Sequence, residues 1–387
     1  MFPPWPFHSC HDGPRPEGPN VTSVLDPVRL GALQLPNRAV MAPLGRARCD
    51  ADRAPTPLVA EYYVQRASAG LIVTEATTVS AMSASRPQSA GNYNALQAAA
   101  WRRIAARIHE AGGRVFQQLY HLGRKADPTR MPNGATPVAP SAIACIGKIN
   151  GANGPIDFAV PRALETDEIP GVVDEFRAAV ANAHAAGMDG VEIHGANGYL
   201  IDEFLRDGSN VRTDGYGGSI ASRARFLLEI VDAAAAIFGA DRVGVRISPH
   251  FTVDGIGDSD PAALFGYVAT ELAARRIAYL HVIESCIPGR PNWPPAAVGP
   301  LLPALRRRFR GCLVVNGGYD RASADAVISA GAADLVSFGE LFIANPDLVD
   351  RFRRGGPYNA PDRATFYGGG AAGYTDYPAL AAATAHP

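Results

Sequence analysis

The sequence lacks an excess of either charge and lacks long apolar runs. Lys plus Arg number 36 against 37 for Asp plus Glu in 387 residues. No broad electrostatic field is therefore available to attract nucleic acid or an anionic membrane. No stretch approaches the roughly 18 consecutive apolar residues of a membrane span. We expect a soluble globular protein that binds a small molecule, with neither nucleic acid nor membrane as a partner.

Cysteine is scarce and follows no recognisable pattern. The five cysteines are scattered at Cys10, Cys49, Cys145, Cys286 and Cys312. Their odd number, without Cys-x-x-Cys pairs or suitable His spacing, indicates neither a disulfide framework nor a metal site. We expect a reducing, cytoplasmic compartment and no metal.

The first 22 residues differ in composition from the rest. They carry six prolines before Asn20 and lack the charged and apolar regions of a secretory signal. We predict that residues 1–22 form a flexible tail and that residues 23–387 form a single domain.

From Leu71 onward, short β-branched runs alternate with longer segments of helical period. This alternation is typical of βα units around a parallel sheet, whose strands are apolar because both faces are covered. Strands are predicted at Arg38–Ala42, Leu71–Ala76, Arg114–Leu119, Gly190–His194, Val243–Ser248, Tyr279–Glu284, Cys312–Gly317 and Asp334–Gly339. Eight units in a chain of this length predict an α/β fold, a (β/α)8 TIM barrel.

Helices are predicted between the strands at Pro57–Ala69, Ala95–Ala111, Pro170–Ala186, Ser222–Phe238, Pro261–Arg275, Leu302–Phe309, Ala322–Ala330 and Glu340–Arg353. Several of them end in a glycine, as a left-handed C-terminal cap favours. These glycines are Gly70, Gly112, Gly187, Gly239 and Gly331.

Three further segments complete the predicted barrel. Residues Pro27–Pro36 alternate enough to form a β-hairpin, which would plug the N-terminal mouth. The Pro- and Gly-rich stretches Gly123–Glu168 and Glu284–Gly299 are too long for tight connections. Both leave the C-terminal end of a strand, the face where barrel enzymes build their sites. We expect them to form walls of a substrate pocket.

The densest cluster of polar groups follows the fourth predicted strand, where His194, Asn197 and Tyr199 lie within six residues. Taken singly, His194 could be a core histidine and Asn197-Gly198 a turn. Together they predict a site. His194 and Asn197 can donate hydrogen bonds to one carbonyl oxygen, which stabilises an enolate-like transition state. Because a phenol is protonated at neutral pH, Tyr199 can act as a general acid.

The same cluster resembles a family signature. The runs HGANGYL (194–200), FLRDGSN (204–210) and RTDGYGGS (212–219) are similar to those of the Old Yellow Enzyme family, FMN-dependent ene-reductases. Other matches cover the chain from about Val24 onward. They include APL (42–44), QLYHLGR (118–124), VAPS (138–141), GVRISP (244–249), ANPDL (344–348) and FYGGGAAGYTDYP (366–378).

The resemblance implies positions for FMN and its substrate. Pro43, Leu44 and Ala76 would lie beside the isoalloxazine, and Gln118 would pair with its pyrimidine edge. Arg246 would lie near flavin N1, where a cation stabilises the anionic reduced flavin, although a barrel salt bridge is an alternative. Backbone N–H groups of the last two loops would bind the phosphate, at Asn316, Gly317, Gly318 and Gly339. Tyr120 and Tyr367 would line the substrate pocket, or simply pack.

Two positions depart from the family at the cofactor. Gly45 stands where Thr or Cys normally contacts the flavin, which predicts an altered flavin potential and slower reduction. Glu340 stands where the family has Arg near the phosphate, so the sign of the local interaction reverses. The carboxylate could empty the site. Alternatively, Glu340 turns to solvent while backbone N–H groups and another arginine hold FMN.

These observations predict an ene-reductase that uses NADPH or NADH in a ping-pong cycle. Hydride from flavin N5 would reduce an α,β-unsaturated carbonyl compound, and Tyr199 would protonate the product. Two rivals stay open: a redox-neutral isomerase or cyclase with weakened or lost FMN dependence, and a non-catalytic ligand-binding barrel. The sequence leaves the choice of nicotinamide open, and also the choice between monomer and homodimer.

Overall fold

Eight parallel strands close into a barrel in the computed structural model, which describes residues 22–83, 87–151, 154–284 and 301–380. The strands are β1 (Ala39–Met41), β2 (Leu71–Val73), β3 (Val115–Tyr120), β4 (Gly190–Gly195), β5 (Val243–Ile247), β6 (Tyr279–Ile283), β7 (Cys312–Asn316) and β8 (Leu335–Phe338). Strand β8 pairs with β1, with Val336 opposite Ala39, and this pairing closes the ring. The predicted (β/α)8 barrel is confirmed.

Ten α-helices are found in the described residues. They are α1 (Pro57–Val64), α2 (Ala95–Glu110), α3 (Ile169–Ala185), α4 (Leu200–Leu205), α5 (Ile220–Phe238), α6 (Pro261–Ala274), α7 (Leu302–Arg308), α8 (Arg321–Ser329), α9 (Glu340–Ala344) and α10 (Leu348–Arg354). None of these is long and apolar enough to cross a membrane.

The helix predictions are wrong in three places. Helix α1 ends at Val64, and turns replace the rest of the predicted segment. The single helix predicted at Glu340–Arg353 is two, α9 and α10, because Pro346 lacks an N–H and forces the residue before it out of the helical region. Helix α4 is too short to produce a helical period, and the sequence did not predict it.

Four of the five predicted glycine caps adopt positive φ: Gly112, Gly187, Gly239 and Gly331. Gly70 does not, so its predicted role is wrong. A side chain at Gly70 would place its Cβ 2.1 Å from the backbone oxygen of Asn37. Glycine is therefore required there because two backbone segments approach closely.

The inside of the barrel is apolar at its N-terminal end. The predicted hairpin forms from Val28–Leu30 and Leu33–Leu35 in antiparallel pairing. Its fully buried Leu30 and Leu35 pack against inward side chains of the strands. These are Val40, Leu71, Val73, Phe116, Tyr279, Val314 and Leu335. The hairpin closes this mouth, and only the opposite end is left for a ligand.

The first of the two long loops lies at that opposite end. Residues 123–168 include the antiparallel pair Lys148–Gly151 and Gly154–Asp157, and the short parallel pair Val138–Ala139 and Arg162–Ala163. The second loop lies outside the described residues from 285 to 300, as does the N-terminal segment up to residue 21. Of the predicted unpaired cysteines, Cys49, Cys145 and Cys312 are free thiols, and Cys10 and Cys286 lie outside the described residues.

Candidate active site

A cavity of about 570 Å³ opens where the barrel strands end. Such a volume lies within the range of pockets that hold cofactors and small ligands. The cavity is lined by the predicted site residues Pro43, Leu44, Gly45, Ala76, Gln118, Tyr120, His194, Asn197, Tyr199, Arg246, Asn316, Gly318, Gly339, Glu340 and Tyr367. Gly317 alone of the predicted set is not in this lining. An added Cβ at Gly317 would face Glu284 at 3.3 Å, so this residue points toward the end of β6 instead.

Strand alternation aims His194 into the cavity. Val191 and Ile193 point outward and pack in the core between strands and helices. Residues Glu192 and His194, on the alternate positions, therefore face the inside of the barrel. The chain then turns sharply at Asn197, with φ of 61°, and at Gly198, with φ of 70°. This turn brings the residues after β4 back over the strand end.

Tyr199 begins helix α4 as its N-cap residue, which fixes its backbone at the rim of the cavity. Its ring lies 5.1 Å from the His194 ring and 5.2 Å from the Tyr120 ring, in edge-to-face contacts. The residues His194, Asn197 and Tyr199 thus meet in space as the sequence motif predicts.

His194 is neutral at physiological pH. Burial, and then the positive charge of Arg246, lower the pKa of its imidazole to about 3. A neutral imidazole carries one N–H donor and no charge. The His194 Nδ1 and Asn197 Oδ1 atoms are buried without hydrogen-bond partners among the described residues. These two side chains retain hydrogen-bonding capacity at the cavity.

A buried polar network lies beneath Gln118. The Gln118 amide donates to Glu192 Oε1 at 2.6 Å, and His281 Nδ1 lies 2.8 Å from Glu192 Oε2. On its other side, His281 Nε2 lies 2.8 Å from Ser337 Oγ. The family motifs did not single out Glu192 and His281. The period of two along β4 is the signal that could have found Glu192, which shares the face of His194.

Glu192 is held as a carboxylate. Burial alone would raise its pKa, but His281, Arg246 and Gln118 outweigh burial and lower the pKa below its ordinary value. Arg246 lies on the neighbouring strand and donates to Asn316 Oδ1 at 3.0 Å. The Arg246 Nε–H is buried without a partner among the described residues, so one donor of this cation remains unused.

A second buried carboxyl, Glu75, also lines the cavity and was not predicted. Its Oε2 accepts a hydrogen bond from the Arg46 backbone N–H at 3.4 Å. Burial raises the pKa of Glu75 to about 7, against the opposing effect of Arg46. A Cβ added at the neighbouring Gly45 would meet open space. The end of β2, a buried strand, was the place to look for such a group.

The unusual Glu340 is paired. Arg363 Nη2 donates to Glu340 Oε2 at 3.1 Å, with both side chains partly exposed. Arg363 comes from the C-terminal segment that folds back over the end of the barrel. A cation is therefore present at this end of the cavity, supplied from a distant part of the sequence.

Curated relatives of this chain are reductases by name. A putative 12-oxophytodienoate reductase 3 of Oryza sativa subsp. japonica is 43% identical over 363 residues, which are 92% of each chain. A probable flavin mononucleotide-dependent alkene reductase of Leishmania infantum is 41% identical over 370 residues, 93% of this chain and 98% of its own.

Solved structures give the same result. Morphinone reductase superimposes with a TM-score of 0.89 at 44% identity, over 93% of this chain and 97% of its own. The Old Yellow Enzyme homologue of Zymomonas mobilis also reaches 0.89, at 42% identity, over 92% and 100%. The model of the NADH:flavin oxidoreductase / NADH oxidase family matches residues 23–359. The predicted resemblance is confirmed, and the chain belongs to this family of FMN-type oxidoreductases.

Proposed function

We propose that this protein is a cytoplasmic, FMN-dependent ene-reductase that uses NADPH or NADH to saturate an electron-poor C=C bond beside a carbonyl. One observation carries the proposal: His194, Asn197 and Tyr199 converge on one cavity, and the buried Nδ1 of His194 has no hydrogen-bond partner among the described residues. The names of the relatives, which include an alkene reductase and an oxophytodienoate reductase, support this reaction class.

The residues present fit FMN. Apolar groups from the ends of β1 and β2, including Pro43, Leu44 and Ala76, suit an aromatic ring system. The Arg246 Nε–H is an unused buried donor that suits an electron-rich ring edge. Glycine backbone at Gly318 and Gly339 suits a phosphate. Bound FMN supplies the redox centre that accepts hydride from a reduced nicotinamide and gives it to the alkene.

His194 and Asn197 hold the substrate oxygen in this proposal. A neutral imidazole N–H and an amide N–H donate to the carbonyl without adding a full charge to the buried site. These donors withdraw electrons from the conjugated alkene and stabilise the enolate-like charge that develops during reduction. The carbonyl oxygen thereby fixes the alkene relative to Tyr199.

Tyr199 supplies the proton in this proposal. Its position at the cavity rim, in ring contact with His194, suits delivery to the carbon next to the carbonyl. The network of Gln118, Glu192 and His281 contributes by holding the Gln118 amide in one orientation at the cavity wall. Neither His281 nor Glu192 is required to exchange a proton in this scheme.

The redox-neutral alternative depended on the changes at Gly45 and Glu340. The pairing of Glu340 with Arg363 weakens one of its two reasons, because the carboxylate is neutralised by a nearby cation. We therefore retain the reductase as the proposed function.

The proposal is tested by product analysis with cyclohexenone and NADPH. Equal amounts of NADPH consumed and cyclohexanone formed are expected. A His194→Ala variant should lose about a hundredfold in kcat, because one donor to the developing oxyanion is lost. An isomerised product without NADPH consumption would overturn the reductase in favour of the redox-neutral enzyme.

A further inference from the structure

Lys125 lies directly behind the turn that carries Asn197 and Tyr199. It ends the short 3-10 turn Gly123–Lys125 that follows β3, and it is not part of the cavity lining. Its side chain is only 11% exposed. A buried ammonium at this place is costly unless it is fully engaged, so its partners indicate what it does.

The ammonium makes two directed contacts. Lys125 Nζ donates to the backbone oxygen of Asn197 at 2.9 Å and to Asp254 Oδ2 at 2.7 Å. The carbonyl it holds belongs to a residue in the left-handed region, with φ of 61°. A non-glycine residue persists in that region only when its surroundings fix it. The Lys125 contact is one of the interactions that fix this turn.

The space for the ammonium depends on Gly198. A Cβ at Gly198 would lie 3.2 Å from both Cε and Nζ of Lys125. The φ of Gly198 is 70°, which also favours glycine. Glycine at this position therefore leaves room for the Lys125 ammonium beside the turn.

The same cation lies close to the proposed acid. Lys125 Nζ is 5.5 Å from the centroid of the Tyr199 ring and 5.0 Å from that of Phe251. At such distances an ammonium is attracted to an aromatic ring, and more strongly to one that becomes negative. Asp254 holds the same ammonium through its ion pair.

We propose that Lys125 is a positioning residue for Tyr199. It fixes the Asn197–Tyr199 turn and stabilises the negative charge left on Tyr199 when the proton is delivered. In that step the phenol O–H bond breaks and a C–H bond forms at the substrate carbon. The O–H electron pair stays on the Tyr199 oxygen, Lys125 keeps all its protons, and water later restores the phenol. This inference rests on the proposed function.

Asp254, in the segment after β5, also contacts a later part of the long loop that carries Lys125. The backbone oxygen of Asp254 accepts a hydrogen bond from the Ile146 N–H at 3.0 Å. A Cβ at Gly255 would lie 2.6 Å from Cγ1 of Ile146, so the two segments are in close contact. The Lys125–Asp254 ion pair therefore joins the segment after β5 to the loop that carries Lys125, a predicted wall of the substrate pocket.

The experiment measures the two half-reactions separately by rapid mixing of FMN-loaded enzyme. Lys125→Met should slow reoxidation by cyclohexenone about tenfold, the size of a strong cation–ring interaction, and leave reduction by NADPH within about twofold. Lys125→Arg should recover most of the loss because the charge is restored. Arg275→Met is the control, because Arg275 is a cation that is 25% exposed, pairs with Asp232 and Glu271 and lies outside the cavity lining, and it should alter neither step.

A double-mutant cycle separates this role from a general loss of structure. If Lys125 acts through Tyr199, Lys125→Met should add no further slowing to Tyr199→Phe. Equal slowing in both backgrounds, or equal slowing of both half-reactions, would overturn the inference. Wild-type rates in Lys125→Met would overturn this inference and leave the proposed function unaffected. A wild-type enzyme that does not turn over enone would refute the proposed function, and this inference with it.

Discussion

Arg363 Nη2 lies 3.1 Å from Glu340 Oε2, so the carboxylate at the end of the cavity where we propose that the FMN phosphate binds has a cationic partner. The two residues are 23 positions apart in sequence and meet because the C-terminal segment folds back across α9. The local charge at this end of the cavity therefore depends on both side chains.

Replacing Arg363 and replacing Glu340 should change FMN affinity in opposite directions. Arg363→Gln leaves Glu340 unneutralised near the anion and should weaken binding about fivefold, the value of an exposed ion pair. Glu340→Gln should tighten binding by a similar factor, and the double variant should lie between them. Titration of apoprotein with FMN, followed by flavin fluorescence, gives each Kd.

High salt should shrink both effects, because exposed charges are screened. Arg353→Gln is the matched control, since Arg353 forms a similarly exposed pair with Asp350 on α10, and it should leave the Kd unchanged. Tighter FMN binding by Arg363→Gln would contradict the assigned charge balance.

His194 should make the protein less stable as the pH falls. Its folded pKa is about 3, whereas an exposed imidazole titrates near 6.5. Below pH 6.5 His194 binds a proton in the unfolded chain but stays neutral in the folded chain, so the free energy of unfolding falls between about pH 6.5 and pH 3. Above pH 6.5 the effect vanishes. From pH 7.5 to pH 5 the contribution is about 2 kcal/mol.

Urea unfolding of wild type and His194→Gln at both pH values measures this difference. The free energy of unfolding of the variant should decline less toward pH 5, because glutamine takes up no proton. His121 is a second buried histidine whose pKa burial lowers, to about 4, so His121→Gln should behave similarly. Parallel pH curves for wild type and His194→Gln would show that His194 is not buried as a neutral group.

Glu192 should be a main source of stability inside the barrel. Glu192→Gln removes the anion that faces His281 and Arg246 and leaves a buried cation uncompensated. Leaving a buried charge without compensation in this way costs about 3 kcal/mol or more. The free energy of unfolding, again from urea, is the measurement.

The control for this change is Glu229→Gln on α5. Glu229 accepts a hydrogen bond from the Tyr216 hydroxyl at 3.0 Å at a half-buried position. Its loss should cost about 1 kcal/mol. Equal effects of the two variants would mean that the charge of Glu192 is not what stabilises the interior.

The barrel was predictable because each of its strands is covered on both faces. Such strands form short apolar runs that stand out against the helices, and all eight were located this way. Helix α4 was missed because its six residues are all buried and too few to show an amphipathic period. Pro346 indicated a break between α9 and α10. The break was not predicted because the sequence has a helical period on both sides of this proline.

The candidate site was predictable where its residues follow one strand or match a family motif. His194, Asn197 and Tyr199 are close in sequence, so their convergence needed no tertiary information. The pairings of Lys125 with Asp254 and of Glu340 with Arg363 join segments that only the fold brings together. Glu75 is a lone charge two residues after the apolar strand β2, a position that makes it a candidate but does not show whether its side chain faces the cavity or the core.

The most direct test of the proposed function is the visible absorption of the purified protein, before and after FMN is added, and then with NADPH under anaerobic conditions. Retained or regained flavin bands that bleach with NADPH and recover on addition of cyclohexenone are expected. A colourless protein that neither retains nor rebinds FMN would contradict the reductase, as would bleached bands that cyclohexenone does not restore.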